Sequence, residues 1–194
     1  MNFLAHLALA GPKTGLLLGG FLGDFVKGRL ENQFNAEVER GIRLHRAIDQ
    51  YTDTHPKVKE SYARFEPKFR RYAGIITDIA FDYLLAKNWS RYYNEPLNSF
   101  SIRTLEKLIA HKNVLPERAF QNALRMHANN SLAHHGELAF IERSLTNLSG
   151  RLKRSNPLIE AYSHCQEQLP GLLNDFFVFY PELINFSEAW KHSH

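Results

Sequence analysis

The sequence predicts an all-α fold, and two observations carry this prediction. Apolar residues recur at intervals of three and four along nearly the whole chain, which is the periodicity of an amphipathic helix. No stretch alternates between apolar and polar residues as a half-buried strand does. We also find no internal repeat and no linker. Because 194 residues fit one domain, we expect a single-domain helical bundle over residues 1–194.

Helix-capping and helix-breaking residues divide this pattern into segments. The Gly-Pro pair at 11–12 ends the first helix, Asn35 is a preferred N-cap, and Pro56 suits the first turn of the next helix. Pro170 and Pro181 should kink or divide the last helix. The predicted helices cover residues 3–10, 14–25, 35–54, 56–65, 73–89, 99–111, 116–126, 130–148 and 157–190.

Composition narrows the class of protein. With 44% hydrophobic and 12% aromatic residues, the chain can bury a core. A net charge of +4 favours acidic partners or phosphate-bearing ligands without naming one. The single cysteine, Cys165, excludes an intrachain disulfide and is expected to be buried. Because we recognise neither a signal peptide nor a long apolar run, we expect a cytoplasmic protein without a membrane span.

The most informative pattern is a set of acids and histidines at helical spacing. His45, Asp49 and Asp53 stand four residues apart, and so do Asp78 and Asp82; residues at this spacing share one face of a helix. The segment around Asp78 is apolar almost all round, which is typical of a buried helix. A buried carboxylate is costly unless it is paired or binds a metal. The two helices therefore predict a shared metal site.

Two further residues join this set. Asp24 follows LLLGGFLG, where small residues allow close backbone approach, and His6 lies on an otherwise apolar helix. Histidine nitrogen and carboxylate oxygen together suit Mn, Fe, Zn or Mg. The alternatives are a solvated acid at Asp24 and a hydrogen-bonded core histidine at His6. For Asp78 and Asp82 the alternative is pairing with an arginine such as Arg46, Arg70 or Arg71.

Other clusters are weaker. Three histidines with polar neighbours are expected on the surface: His127, His134 and His135. Basic residues at 27–29 and 151–154 form either a solvated surface or a docking site for an acidic protein. They do not alternate with aromatic residues, which disfavours nucleic acid as a partner. The chain has neither a P-loop nor a dinucleotide-binding fingerprint.

Four sequence blocks give the chain a family resemblance. The blocks MNFLAHLALA at 1–10, GDFVKG at 23–28, GIRLHRAIDQYTD at 41–53 and ITDIAFDYLLAKNW at 76–89 resemble the acyl carrier protein phosphodiesterase family in order and spacing. That family hydrolyses the phosphodiester that joins 4′-phosphopantetheine to a serine of holo acyl carrier protein. The resemblance implies an all-α fold distantly related to the HD-type phosphohydrolases. It also implies a divalent metal, with Mn²⁺ expected before Mg²⁺ or Fe²⁺.

The resemblance implies roles for individual residues as well. Four are expected to bind the metal: His6, Asp24, His45 and Asp78. Two acids are expected to act on the attacking water: Asp49 and Asp82. Two basic residues are expected to stabilise the phosphoryl oxygens: Lys27 and Arg46. The acidic carrier protein is expected to dock on the basic clusters: Lys27, Arg29, Arg151, Lys153 and Arg154.

Two departures from the family pattern bear on activity. His45 is followed by Arg46 and not by the adjacent aspartate for which the HD superfamily is named. Family members often carry histidine where this chain has Tyr83, which predicts weaker activity or shifted specificity if that histidine takes part.

The alternative functions are a metal-dependent phosphohydrolase for another phosphoester and a non-catalytic helical adaptor for an acidic protein. A di-iron carboxylate protein is disfavoured because paired Glu-x-x-His motifs are absent.

Overall fold

The computed structural model describes residues 1–30 and 32–194. Over these residues all regular structure is helical, with nine α-helices, three short 3₁₀ helices and no strand, which confirms the all-α prediction. The α-helices are α1 (Phe3–Ala10), α2 (Thr14–Leu22), α3 (Ala36–Thr54), α4 (Pro56–Ala63), α5 (Ala73–Lys87), α6 (Leu97–Ala110), α7 (Glu117–Ala128), α8 (Leu138–Arg151) and α9 (Ala161–Ser193). The 3₁₀ helices are Arg70–Tyr72, Trp89–Arg91 and Ala133–Gly136.

Local capping residues set several helix ends as the sequence predicts. The Asn35 side chain accepts a hydrogen bond from the Val38 amide at 3.0 Å, so α3 begins at the expected N-cap. Pro56 occupies the first turn of α4, where no intrahelical bond needs its missing N–H. Gly11 follows α1 with a φ of 75°, a left-handed conformation that glycine adopts without strain.

Most helix ends shift by a few residues from the prediction, and α2 ends at Leu22 rather than at 25. Two segments also differ in how they are divided. The segment 130–148 is predicted as one helix, but it divides into the 3₁₀ helix Ala133–Gly136 and α8. Helix α9, in contrast, continues through Pro170 and Pro181 over 33 residues. Each proline removes one backbone hydrogen bond, and burial of the aromatic face of α9 offsets that loss. Neither α9 nor any other helix of the described residues is long and apolar enough to cross a membrane.

Helix α5 lies in the core and contacts α1, α4, α8 and α9. Ile76 and Phe81 are fully buried, as expected for a helix that is apolar nearly all round. The Phe81 ring packs on Phe176 and Phe179 of α9, with centroids 5.4 and 5.7 Å apart. Cys165 of α9 is buried as well, as predicted. Helix α5 therefore provides the surface on which its neighbours are positioned.

Helices α2 and α3 cross closely because glycines face each other. A Cβ atom on Gly19 would lie 2.2 Å from the Val38 carbonyl oxygen, and one on Gly41 would lie 2.6 Å from the Leu16 carbonyl oxygen. Both distances are well below van der Waals contact, so only glycine fits at these positions. The crossing brings His45 of α3 against the backbone of α2.

Candidate active site

Two histidines and one carboxylate meet between α1 and α3. His6 Nε2 lies 3.0 Å from Asp49 Oδ1, and His45 Nε2 lies 3.2 Å from Asp49 Oδ2. The three residues offer one ligand atom each within 4.8 Å of one another, so they could hold a metal ion. We call His6, His45 and Asp49 the His–His–Asp cluster. His45 and Asp49 are one turn apart on α3, so their i, i+4 spacing puts them on one face. His6 comes from the apolar α1.

Hydrogen bonding fixes the orientation of His45. Its Nδ1 lies 2.8 Å from the Gly20 carbonyl oxygen and must donate, because a carbonyl oxygen can only accept. In the neutral ring the hydrogen is then on Nδ1, which leaves the lone pair of Nε2 free to bind a metal ion. Because Nε2 lies 3.2 Å from Asp49 Oδ2, an ion beside this nitrogen could contact the carboxylate as well.

His6 is buried beside His45 and Asp49 without a well-directed hydrogen bond. It is 2% exposed, and its ring stacks on that of His45 with centroids 3.6 Å apart. Although Asp49 is near, its oxygen lies off the direction in which an N–H would point. Neither ring nitrogen has a hydrogen-bond partner in the described part of the chain. An unsatisfied buried nitrogen costs about 1–3 kcal/mol, and a bound metal ion would remove that cost.

Electrostatics favour a cation in the cluster. Burial lowers the pKa of His6, and the neighbouring His45 lowers that pKa further, so the neutral ring offers a lone pair near pH 7. Burial alone would raise the pKa of Asp49, but the two imidazoles hold it well below its ordinary value. The Asp49 side chain is 44% exposed, so the cluster is open to solvent. Three protein ligands with an open side are typical of a catalytic metal site.

A glycine makes room for the His45 ring. A Cβ atom on Gly23 would lie 2.1 Å from His45 Cγ. Gly23 has helical backbone angles, so the requirement for glycine is one of space and not of conformation. The segment LLLGGFLG predicts close backbone approach, and the structure shows that approach at Gly19 and at Gly23.

Asp78 and Asp82 bind the start of α1. The buried Asp82 carboxylate accepts hydrogen bonds of 3.3, 2.8 and 3.3 Å from three backbone amides: Asn2, Leu4 and Ala5. Burial raises the pKa of Asp78, and the α-amino group of Met1 at 2.8 Å opposes that effect. Over residues 1–30 and 32–194 neither acid pairs with an arginine, so the predicted alternative is not found. Both acids instead hold the helix that carries His6.

A cleft of about 750 Å³ lies near the cluster, although His6, His45 and Asp49 do not line it. Met1 and Asp78 belong to one wall, and Asp24 and Phe25, which follow α2, extend it. Asp49 is close enough to Asp78 to raise the pKa of that acid, so this wall adjoins the cluster. The exposed Asp24 therefore faces the cleft and is not a member of the His–His–Asp cluster. Residues of α7 and α8 also line the cleft.

The other residues predicted from the sequence lie around this centre. Arg46 is half-buried and donates a hydrogen bond to the Val26 carbonyl oxygen at 3.2 Å. Asp53 is exposed near the end of α3 and accepts a hydrogen bond from the Tyr62 hydroxyl at 3.4 Å. The predicted docking residues are exposed: Lys27, Arg29, Arg151, Lys153 and Arg154. Among these, Arg151 lines the cleft.

Sequence reasoning missed Tyr62, which lies near three acids. Burial raises the pKa of Tyr62 above its ordinary value, and Asp78, Asp53 and Asp49 raise it further. The hydroxyl therefore stays protonated and can donate a hydrogen bond at the edge of the site. Tyr62 lies on α4, whereas the three acids lie on α3 and α5. Only tertiary packing brings the tyrosine near them, so no spacing in the sequence predicts this contact.

His135 is buried, and the prediction that it lies on the surface is wrong. The 3₁₀ helix Ala133–Gly136 packs against α5 and turns the His135 ring inwards, where it stacks on Phe140 at 3.9 Å. Its Nδ1 lies 3.5 Å from Asp82 Oδ2. His134, on the same turn, is exposed as predicted.

Tyr83 lies on a different side of α5 from the acids. Burial raises its pKa, and the groups that add to this shift are Tyr162 and Cys165 of α9. Successive residues of a helix point about 100° apart, which separates the Tyr83 side chain from that of Asp82. The Tyr83 side chain, where this sequence departs from the family pattern, is therefore directed towards α9.

The sequence matches one family over nearly its whole length. The family model described as acyl carrier protein phosphodiesterase matches residues 1–183. The acyl carrier protein phosphodiesterases of Photorhabdus laumondii and Yersinia enterocolitica are each 33% identical to the chain, over 97% and 95% of it and 96% of each relative. No solved structure matches, so the likeness to the HD fold stays a prediction. The chain belongs to the acyl carrier protein phosphodiesterase family.

Proposed function

We propose that the protein hydrolyses the phosphodiester between 4′-phosphopantetheine and the serine of holo acyl carrier protein, which releases the apo carrier. Family membership supports this reaction. The observation that carries the proposal is the His–His–Asp cluster, which opens to solvent beside a cleft of about 750 Å³. A cleft of this size suits an extended prosthetic arm and not a folded protein. The carrier protein therefore stays outside and inserts its arm.

A divalent metal ion belongs to this proposal, with His6, His45 and Asp49 as its ligands. The unpartnered nitrogen of His6 and the lone pair of His45 support the assignment. Two imidazoles and a carboxylate suit Mn²⁺ or Fe²⁺ better than Mg²⁺, which prefers oxygen ligands; Mn²⁺ remains our first choice. When bound, such an ion activates water and neutralises charge on the phosphoryl oxygens.

Other residues orient the substrate and the site. Asp24 and Asp78 face the cleft, where a carboxylate can position the attacking water or complete the metal coordination that the sequence predicts for them. Lys27 and Arg46 keep their predicted role as partners of the phosphoryl oxygens. Asp82 takes a positioning role in place of the predicted role on water, because backbone amides already occupy its carboxylate.

An acidic carrier protein is the partner in this proposal, and exposed basic residues attract it. The predicted docking residues are Lys27, Arg29, Arg151, Lys153 and Arg154, all of which are exposed. Attraction between exposed charges is screened by salt, so the KM for the carrier protein should rise with ionic strength. The cytoplasmic location stays a prediction.

Mass spectrometry of the carrier protein tests the proposal. Incubation of holo acyl carrier protein with the Mn²⁺-loaded protein should remove the mass of phosphopantetheine and leave the apo carrier. Chelator-treated protein and Asp49→Ala are the controls, and both should be inactive. If the wild type releases nothing under conditions where the Photorhabdus laumondii relative is active, the proposed reaction is wrong.

Two further outcomes of that experiment point to the alternative functions. Hydrolysis of bis(p-nitrophenyl) phosphate without release from the holo carrier would indicate a phosphohydrolase for another phosphoester. A melting temperature that Mn²⁺ leaves unchanged, together with no hydrolysis of either substrate, would indicate a non-catalytic adaptor, because a ligand of the native state raises its stability.

A further inference from the structure

Three arginines of α7 and α8, which we call the arginine wall, line the same cleft as Asp24 and Asp78. Arg118 and Arg125 lie on α7, and Arg151 ends α8. Residues seven apart on a helix lie on nearly the same face, which aligns the two arginines of α7. Asparagines and a serine lie between them on the two helices: Asn122, Ser144 and Asn147. Of the residues that α7 and α8 contribute to the cleft, none is a carboxylate.

The positive charge of this arginine wall is not compensated. All three side chains are exposed, and none has an ion pair or side-chain hydrogen bond to any residue of the ranges 1–30 and 32–194. Arg43, by contrast, is exposed but lies 2.9 Å from Glu39. Like charges gathered on one wall create a potential that attracts anions.

The spacing of the arginines fits a row of anionic groups. Seven helical residues advance by about 10.5 Å, so the extended side chains of Arg118 and Arg125 can present two positive charges one after the other along the cleft. Carboxylates seven residues apart on an acidic helix are also separated by about 10.5 Å along its axis. An acidic helix laid along the rim of the cleft would therefore meet each arginine in turn.

We propose that Arg118, Arg125 and Arg151 form the docking surface for an acidic helix of the carrier protein. The helix lies on the rim, and the prosthetic arm enters the cleft between this wall and Asp78. This inference rests on the proposed function, which supplies the partner. Arg151 belongs to a basic cluster recognised in the sequence, whereas Arg118 and Arg125 join it only through the packing of α7 and α8.

Binding of fluorescently labelled apo acyl carrier protein tests the surface apart from catalysis, because the apo form has no phosphodiester to cleave. Fluorescence anisotropy at low salt gives the Kd of the wild type, Arg118→Glu and Arg125→Glu. Each variant should bind about tenfold more weakly, since a charge attraction becomes a repulsion. Lys59→Glu makes the same charge change on an exposed residue of α4 outside the cleft and should bind as the wild type does.

Several results would overturn this docking surface. They are an unchanged Kd in the arginine variants, an equal loss in Lys59→Glu, and no binding of the apo carrier by the wild type. Inorganic phosphate that displaces the carrier more than chloride does at the same ionic strength would assign the arginines to phosphate instead. A wild type that binds the apo carrier but releases nothing from the holo carrier contradicts the proposed reaction and leaves the docking surface in place.

Discussion

Gly23→Ala tests whether space at one glycine sets the position of His45. The new Cβ atom would lie 2.1 Å from His45 Cγ, whereas carbon atoms in contact lie about 3.5–4.0 Å apart. The ring must therefore retreat by roughly 1.4 Å. That movement disrupts the 2.8 Å hydrogen bond from Nδ1 to Gly20 and displaces Nε2 from Asp49.

Two effects of this substitution differ in size and can be measured separately. Overpacking of this kind costs about 1–3 kcal/mol, which urea unfolding of the metal-free protein would show. A displacement of about 1 Å in a reacting group can lower turnover about 100-fold, and release of phosphopantetheine from the holo carrier measures this loss. The rise in melting temperature on addition of Mn²⁺ should shrink in parallel.

Gly150→Ala is the matched control for this substitution. A Cβ placed on Gly150, near the end of α8, would have no atom within 4 Å beyond its chain neighbours and the nearby backbone of its own helix. Alanine there should leave turnover unchanged and should not lower the free energy of unfolding. Normal turnover and a normal response to Mn²⁺ in Gly23→Ala would refute the reasoning that this glycine holds His45 in a metal site.

Three further predictions concern the surroundings of the cluster. Asp82→Ala leaves three backbone amides at the start of α1 without an acceptor and should lower the free energy of unfolding by about 3 kcal/mol; an unchanged urea midpoint would contradict this. As the pH falls below 6.5, the metal-free protein should lose stability, because the lowered pKa of His6 lets the unfolded chain take up a proton first. Urea unfolding at several pH values should show this loss, and His6→Gln should reduce it. Tyr83→His should change turnover of the holo carrier less than about twofold, since that side chain is directed towards α9; a large gain would place the side chain in the reaction.

The part of the His–His–Asp cluster that lies on a single helix could be predicted from the sequence. His45 and Asp49 are one helical turn apart, so spacing alone puts them on one face. His6 could be singled out because it is the polar residue of an otherwise apolar helix. Their convergence could not be predicted, since it depends on how α1 packs beside α3.

The partners of the buried acids could not be predicted either. Asp82 binds backbone amides 77–80 positions earlier in the chain, and backbone groups carry no signature in a sequence. The burial of His135 likewise depends on a short turn that packs against α5. Arg118 and Arg125 are ordinary surface residues by their spacing, and only tertiary packing makes them a wall of the cleft.

The metal site can form only after α1 has docked on α5 during folding. Contacts that join residues 77–80 positions apart require closure of a long loop, whereas the turn that joins His45 and Asp49 forms locally. While α1 is detached from α5, His45 and Asp49 can therefore be in register, but His6 is missing from the site. A metal ion that needs all three binds only the completed fold, so it lengthens the lifetime of the native state without hastening its formation.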